Sequence, residues 1–178
     1  MTFDDGFREI HDVVAPILLG WGIEGHDAAS CPSIPQFIDL FDYSLKRQIY
    51  NPSKVYSVDT ALSSAVSFRF SRDIGHLYEN MVFLALKRRG SDVFYWKSAK
   101  GLEVDFVIKE DLRITEAIQV CASLADQNTR QREFRSLREA GEALGVKSLT
   151  VVTEDEEGRE KMDHGDIEIV PLWKWLLE

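Results

Sequence analysis

Residues 102–121, LEVDFVIKEDLRITEAIQVC, alternate apolar and polar side chains twice, and only KEDL separates the two runs. Period-two alternation predicts a strand, and so short a break between two strands leaves room only for an antiparallel hairpin. The chain must therefore build a sheet, and the segments flanking the hairpin decide its class. Leu102, Val104, Phe106 and Ile108 share one predicted face, with Glu103, Asp105 and Val107 on the other. In the second run Ile114, Glu116, Ile118 and Val120 alternate with Thr115, Ala117, Gln119 and Cys121. Parity separates Glu116 from Gln119, and only one of them can join Asp105.

Upstream, SRDIGHLYENMVFLALKRRG predicts a helix over 71–90, which Ser71 can cap and Gly90 can end, with Lys87, Arg88 and Arg89 suiting its negative end. Ile74, Leu77, Tyr78, Met81, Val82 and Ala85 form the expected apolar face, and His76, Asn80 and Lys87 the wet one. Glu79 falls between Val82, Phe83 and Leu86, where an unpaired carboxylate is too costly. It requires a counter-ion, a proton or a bound cation.

DVFYWKS then reads as a strand and AKG as a turn into the hairpin. A second helix is expected over 126–145, with Asp126 or Thr129 as cap, Phe134, Leu137, Gly141 and Leu144 as stripe, and Gly145 as stop. VKSLTVVT is a further strand, EDEEGREKMDHGD an acidic turn region, and IEIV a last short strand before PLWKWLLE. Helix, three strands, helix, strand, strand is an α/β order, a mixed sheet flanked by helices. Nearer the N-terminus, residues 8–21 predict a short amphipathic helix and 22–36 a loop. PQFIDLFDYSLKRQIYNPSKVYSVDTAL predicts strand, turn, strand about NPSK. Residues 1–60 are thus an N-terminal helix and linker segment, and 61–178 the α/β domain.

With 178 residues, 44% of them apolar, the chain has material for one globular domain. No apolar run approaches the ~20 residues of a membrane helix, and the acidic start MTFDDGFREI lacks the pattern of a secretory signal. A cytoplasmic protein without membrane contact is expected. Cys31 and Cys121 are too far apart to suggest a disulfide framework or zinc knuckle, and the four histidines are equally dispersed. The net charge of −9 opposes broad attraction to nucleic acid. Residues 61–124 come out at +1, so the hairpin lies in the least repulsive third. Lys87, Arg88, Arg89, Lys97 and Lys100 could line it as a basic rim. Arg130, Arg132, Arg135 and Arg138 stand among Glu133, Glu139 and Glu142 as expected intrahelical pairs.

A helix Glu, a hairpin Asp and a polar pair two apart on the next strand resemble the PD-(D/E)xK nuclease superfamily. More closely, GHLYENMVFLALKRRG, VFYWKSAKGLEVDFVI, IQV and VPLWKWLL are similar to a C-terminal domain of unknown function in archaeal and bacterial AAA-type ATPases. The segment FDYSLKRQIYNPSKVYSVDTAL is similar to the piece joining that domain to the ATPase core. The resemblance implies a restriction-endonuclease-like fold and a Mg²⁺ site held by Glu79, Asp105 and Gln119, with Cys121 where the family's Lys belongs. Mg²⁺ in such a site activates a water and stabilises phosphorane charge. Some superfamily members use Gln at that position, but a neutral thiol supplies no positive charge, and Lys97 or Lys100 is the candidate to fill the vacancy. There is no G-x-x-x-x-G-K-[ST] loop, so this chain has no ATP site of that kind. Three functions follow: a catalytically degenerate domain recognising nucleic acid or a partner, an active Mg²⁺-dependent DNA or RNA nuclease, or a protein-interaction module that recognises a partner or an ATPase core through the acidic residues 1–60.

Overall fold

β-Branched and aromatic residues cluster in five short runs of the C-terminal part, and all five become strands of one sheet, which a sixth, polar edge strand completes. The computed structural model describes residues 35–58, 74–161 and 165–177, and the predicted helix over 8–21 lies outside them. In chain order the elements are β1 (Pro35–Ile38), α1 (Leu45–Tyr50), β2 (Lys54–Ser57), α2 (Ile74–Arg88), β3 (Asp92–Lys97), β4 (Glu103–Glu110) and β5 (Arg113–Val120). They continue with α3 (Gln127–Leu144), β6 (Ser148–Thr153), β7 (Gly158–Glu160), β8 (Ile167–Pro171) and α4 (Leu172–Leu177). The large sheet has the order β3-β4-β5-β6-β8-β7. β3, β4 and β5 are antiparallel, β5, β6 and β8 parallel, and β7 is an antiparallel edge. The fold is α/β with a mixed sheet, and β7 is an addition inside what the sequence predicts as an acidic turn region.

β1 and β2 form a separate antiparallel pair. The connection between them carries the helix α1 instead of a simple turn, and α1 buries none of its side chains. Beyond β1 the chain runs beside β3, where Tyr95 N–H donates to Asp39 O and Phe41 N–H to Tyr95 O. Ile38, Leu40 and Tyr56 thereby enter the same apolar cluster as Val82, Phe83, Leu86, Phe106 and Ile118. The described residues lie within one compact unit. On the other face of the sheet, Phe134, Leu137 and Ala140 of α3 pack on Val104, Val107, Ala117 and Val151.

The register shifts between β3 and β4: Phe94 faces Val107, but Trp96 faces Val104. The extra residue in β4 breaks the alternation, so Val104 and Val107 share the α3 face while Phe106 and Ile108 share the α2 face. The expected common face of Val104, Phe106 and Ile108 is thus split by a bulge, which frees Asp105 to turn. A second shift, where Lys109 faces Ile114 after Ile108 faces Glu116, puts Ile114 on the α3 face and not beside Ile118.

The helix α3 follows its sequence signals: Asp126 accepts from Thr129 N–H and Gly145 adopts φ +71° at the stop. α2 does not. Its buried side chains are Asn80, Val82, Phe83, Ala85 and Leu86, so Asn80, expected in water, is inside, and Ile74, expected inside, is half exposed. The cause is polar bonding from β2: the Asn80 amide donates to Ser57 O and accepts from Ser57 N–H, both at 2.9 Å. That clasp turns the helix toward β2. Of the charged residues of α3, Arg132 pairs within the helix as expected, though its partner Glu133 is buried, whereas Arg130 pairs with Glu160 of β7 and Glu139 with Lys100.

Candidate functional site, a lysine among carboxylates

Glu79 meets its partner from outside the predicted α/β domain. Lys54 opens β2, and strand alternation puts Lys54 and Tyr56 on one face, the face turned toward α2 and the bulge of β4. Its ammonium Nζ stands 3.2 Å from Glu79 Oε1, 2.9 Å from Glu103 Oε1 and 3.0 Å from Asp105 Oδ1. Tyr56 O–H donates to the same Glu79 oxygen, and His76 Nδ1 lies 3.4 Å from the other. Only 17%, 13% and 12% of the Lys54, Glu79 and Asp105 side chains are exposed, so these charges interact largely outside the screening of bulk water.

Each element reaches this point for a stated reason. The Asn80 clasp fixes the end of β2, Tyr56 stacks on Phe83 with ring centroids 4.4 Å apart, and Tyr95 O–H donates to Pro52 O at 2.7 Å. β4 delivers Asp105 through its bulge. At the end of its pairing with β5, Asp105 Oδ2 accepts from Val120 N–H at 3.0 Å.

The electrostatics divide unequally. Burial pulls the Lys54 ammonium down, but Asp105, Glu79 and Glu103 together raise it well above the ordinary lysine range. Burial pushes Glu79 up, yet the His76 and Tyr56 hydrogen bonds and the Lys54 charge bring it down to about 2. Asp105 is raised to about 6, by burial first and then by the Glu79 charge, against the pull of Lys54 and Val120 N–H. Tyr56 is held protonated, chiefly by burial. The centre thus sets the lysine among the side chains of Glu79, Glu103 and Asp105.

Glu79 and Asp105, paired by the sequence reading, do come together. Gln119 stands beside them differently: it is buried, and its Oε1 accepts from Asp105 N–H at 3.3 Å. Glu116 instead accepts from Thr150 O–H. Cys121 is half-buried, donates to Ser123 O, and has its thiol pushed up by burial and then by Glu133. Lys97 reaches Glu103 at 3.5 Å, at the rim, and Lys100 turns to Glu139. Lys54 and Tyr56 are the residues that sequence reasoning missed. The available signal was a lysine and a tyrosine two apart on a short strand, with a stranded helix glutamate awaiting a cation.

These residues do not fit the Mg²⁺ that the resemblance implies. Mg²⁺ demands oxygens at about 2.0–2.1 Å in near-octahedral array, and the common point of the three carboxylates is taken by Lys54 Nζ. The Gln119 oxygen faces an N–H donor. Among the described residues no three acidic, His or Cys side chains stand close enough to hold a metal ion as they are. Nor is any described helix long and apolar enough to cross a membrane.

Residues 74–175 match the family described as Domain of unknown function (DUF4143). Over 148 residues the chain is 38% identical to the uncharacterized protein MJ1544 of Methanocaldococcus jannaschii. That alignment covers 78% of this chain and 32% of MJ1544, so the chain spans about a third of that relative's length. No solved structure matches the chain. Lys54 and Tyr56 lie N-terminal to the family match, whereas Glu79, Glu103, Asp105, Gln119 and Cys121 lie within it.

Proposed function

The chain belongs to the DUF4143 family, and we propose that it is a nuclease-fold accessory domain of an AAA-type ATPase, catalytically degenerate, that acts by recognising nucleic acid or a protein partner. The observation that carries this reading is the Lys54 ammonium at the meeting point of Glu79, Glu103 and Asp105. A phosphoryl-transfer centre needs carboxylates free to hold a metal and a cation free to orient the nucleophile. Here the carboxylates hold the cation. Gln119 and Cys121 support the same reading, because neither adds a charge at neutral pH. The exposed side chains of Tyr43, Leu45, Ile49 and Tyr50 add an apolar strip on and beside α1, a feature suited to contact with another molecule.

The test is Mg²⁺ and Mn²⁺ titration by calorimetry, joined to cleavage assays on single- and double-stranded DNA and RNA, for wild type and Asp105→Asn. No binding heat and no cleavage are expected from either. Affinity capture from extract, before and after nuclease treatment, then separates a nucleic-acid partner from a protein one. Metal-dependent cleavage that Asp105→Asn abolishes overturns the reading. It would establish the active-nuclease alternative, which the 3.0 Å contact of Lys54 with Asp105 favours by offering the lysine that Cys121 replaces.

A further inference from the structure

We infer that the apolar strip at α1 is an interface between two copies of this chain, which pair helix to helix, antiparallel, across a two-fold axis. The inference goes beyond the recognition reading above, because the partner is the chain itself, and it stands independently of what the Lys54 centre does.

α1 is built inside out. With about 3.6 residues per turn, Leu45, Lys46, Ile49 and Tyr50 fall on an arc of about 140°, and Arg47 and Gln48 on the remainder. An ordinary surface helix turns its apolar arc to the core. Here the polar arc is held down: the Arg47 guanidinium pairs with Asp42 at 2.8 Å and donates to Lys97 O, and the Gln48 amide donates to Asp42 O. Leu45, Ile49 and Tyr50 consequently stand 73%, 77% and 78% exposed, with Tyr43 beside them at 77%. A six-residue helix has little stability of its own in water. The ties that fix it this way round therefore hold a preformed apolar surface in place.

Charge, shape and area choose the occupant. The whole chain carries −9, but residues 35–58 hold Lys46, Arg47 and Lys54 against Asp39 and Asp42. Two copies can meet here without the repulsion that the acidic remainder would bring. An antiparallel two-fold through the middle of α1 sets Leu45 against the partner's Tyr50 and Lys46 against the partner's Ile49, where the Lys46 ammonium can lie over the partner's Tyr50 ring. The same patch holds a socket: Phe41, Tyr43, Arg47, Trp96, Ala143 and Leu144 are among the residues around a hollow of about 290 Å³, room for one aromatic side chain. Knob and socket on one patch are what an isologous contact requires. At about three-quarters exposure the four apolar side chains offer roughly 500 Å² per copy, or about 1,000 Å² for the pair, the lower bound of specific association. A dimer with a Kd on the order of micromolar follows.

The experiment is sedimentation equilibrium of the full chain from about 1 to about 200 μM, on wild type, Ile49→Glu, Tyr50→Ala and Leu112→Glu, with circular dichroism to check folding. Leu112, 90% exposed in the turn between β4 and β5, takes the same kind of change away from α1. Wild type and Leu112→Glu should dimerise with equal Kd, and Ile49→Glu should weaken the dimer at least about tenfold. Because α1 buries none of its side chains, the spectrum of that variant should match wild type. Should it differ, Tyr50→Ala, which adds no charge, must weaken the dimer in the same direction. NaCl at about 0.5 M should leave the wild-type Kd within about threefold, since salt screens charges and not apolar contact. A wild type that stays monomeric overturns the inference, as does Ile49→Glu or Tyr50→Ala pairing as tightly as wild type, or a dimer that salt dissociates. A monomeric wild type that captures nucleic acid or another protein sinks this inference and leaves the recognition reading. Dimerisation with no captured partner does the reverse, and metal-dependent cleavage by a wild-type dimer removes the degenerate reading alone.

Discussion

The two long helices cover opposite faces of the same sheet and obey different rules. α3 presents Phe134, Leu137, Ala140 and Gly141 to a largely apolar surface, with Glu133 and Ser136 buried beside them, and its cap, stripe and stop sit where elementary helix chemistry puts them. α2 presents Glu79 and Asn80 along with Val82, Phe83 and Leu86, because β2 meets it with Lys54, Tyr56 and the backbone of Ser57. An apolar face is satisfied by any well-shaped partner. A polar one requires particular atoms, and here they come from more than twenty residues upstream.

The sharpest way to break the contrast is Glu79→Ala. It leaves Lys54 short of a partner and the Tyr56 hydroxyl buried without its acceptor, and should cost about 3–5 kcal/mol in urea denaturation. A loss below about 1 kcal/mol would mean that water screens the cluster. On the opposite face Leu137→Ala, with its side chain fully enclosed, should cost about 2–4 kcal/mol with no change in pH dependence.

pH separates the faces next. Asp105, raised from 3.8 to about 6, binds its proton more tightly folded than unfolded. Its contribution is fully present below the unfolded value and is lost as pH rises through about 6. Glu79, lowered from 4.5 to about 2, contributes above its unfolded value and loses that contribution as pH falls toward about 2. Stability should therefore fall on the order of 1–3 kcal/mol between about pH 4.5 and 7.5, and Asp105→Asn should flatten that limb in denaturant midpoints. A flat wild-type profile would contradict the raised Asp105. The smallest effect, about 1–2 kcal/mol, is expected from Asn80→Ala, which strands the backbone N–H and C=O of Ser57. Amide exchange at Ser57 reads that loss directly.

Sequence alone determined the class and most of the elements. Period-two runs, the Asp126 cap, the Gly145 stop and the alternation of helix and strand are local signals, and local signals survive without knowledge of partners. It also showed that Glu79 needed a counter-ion, a proton or a bound cation, and the family resemblance set Glu79 beside Asp105. What only the tertiary structure decided is how that need is met. A one-residue bulge in β4 re-aims Asp105, and a bulge leaves no mark in the period of a strand until its neighbour's register is known. Gln119 is turned to a backbone N–H by the same local geometry. Lys54 joins the cluster across fifty-one positions of chain from Asp105, a contact that depends on how β2 docks against α2. Periodicity reports which way a side chain points from its own backbone, and docking decides what it meets there.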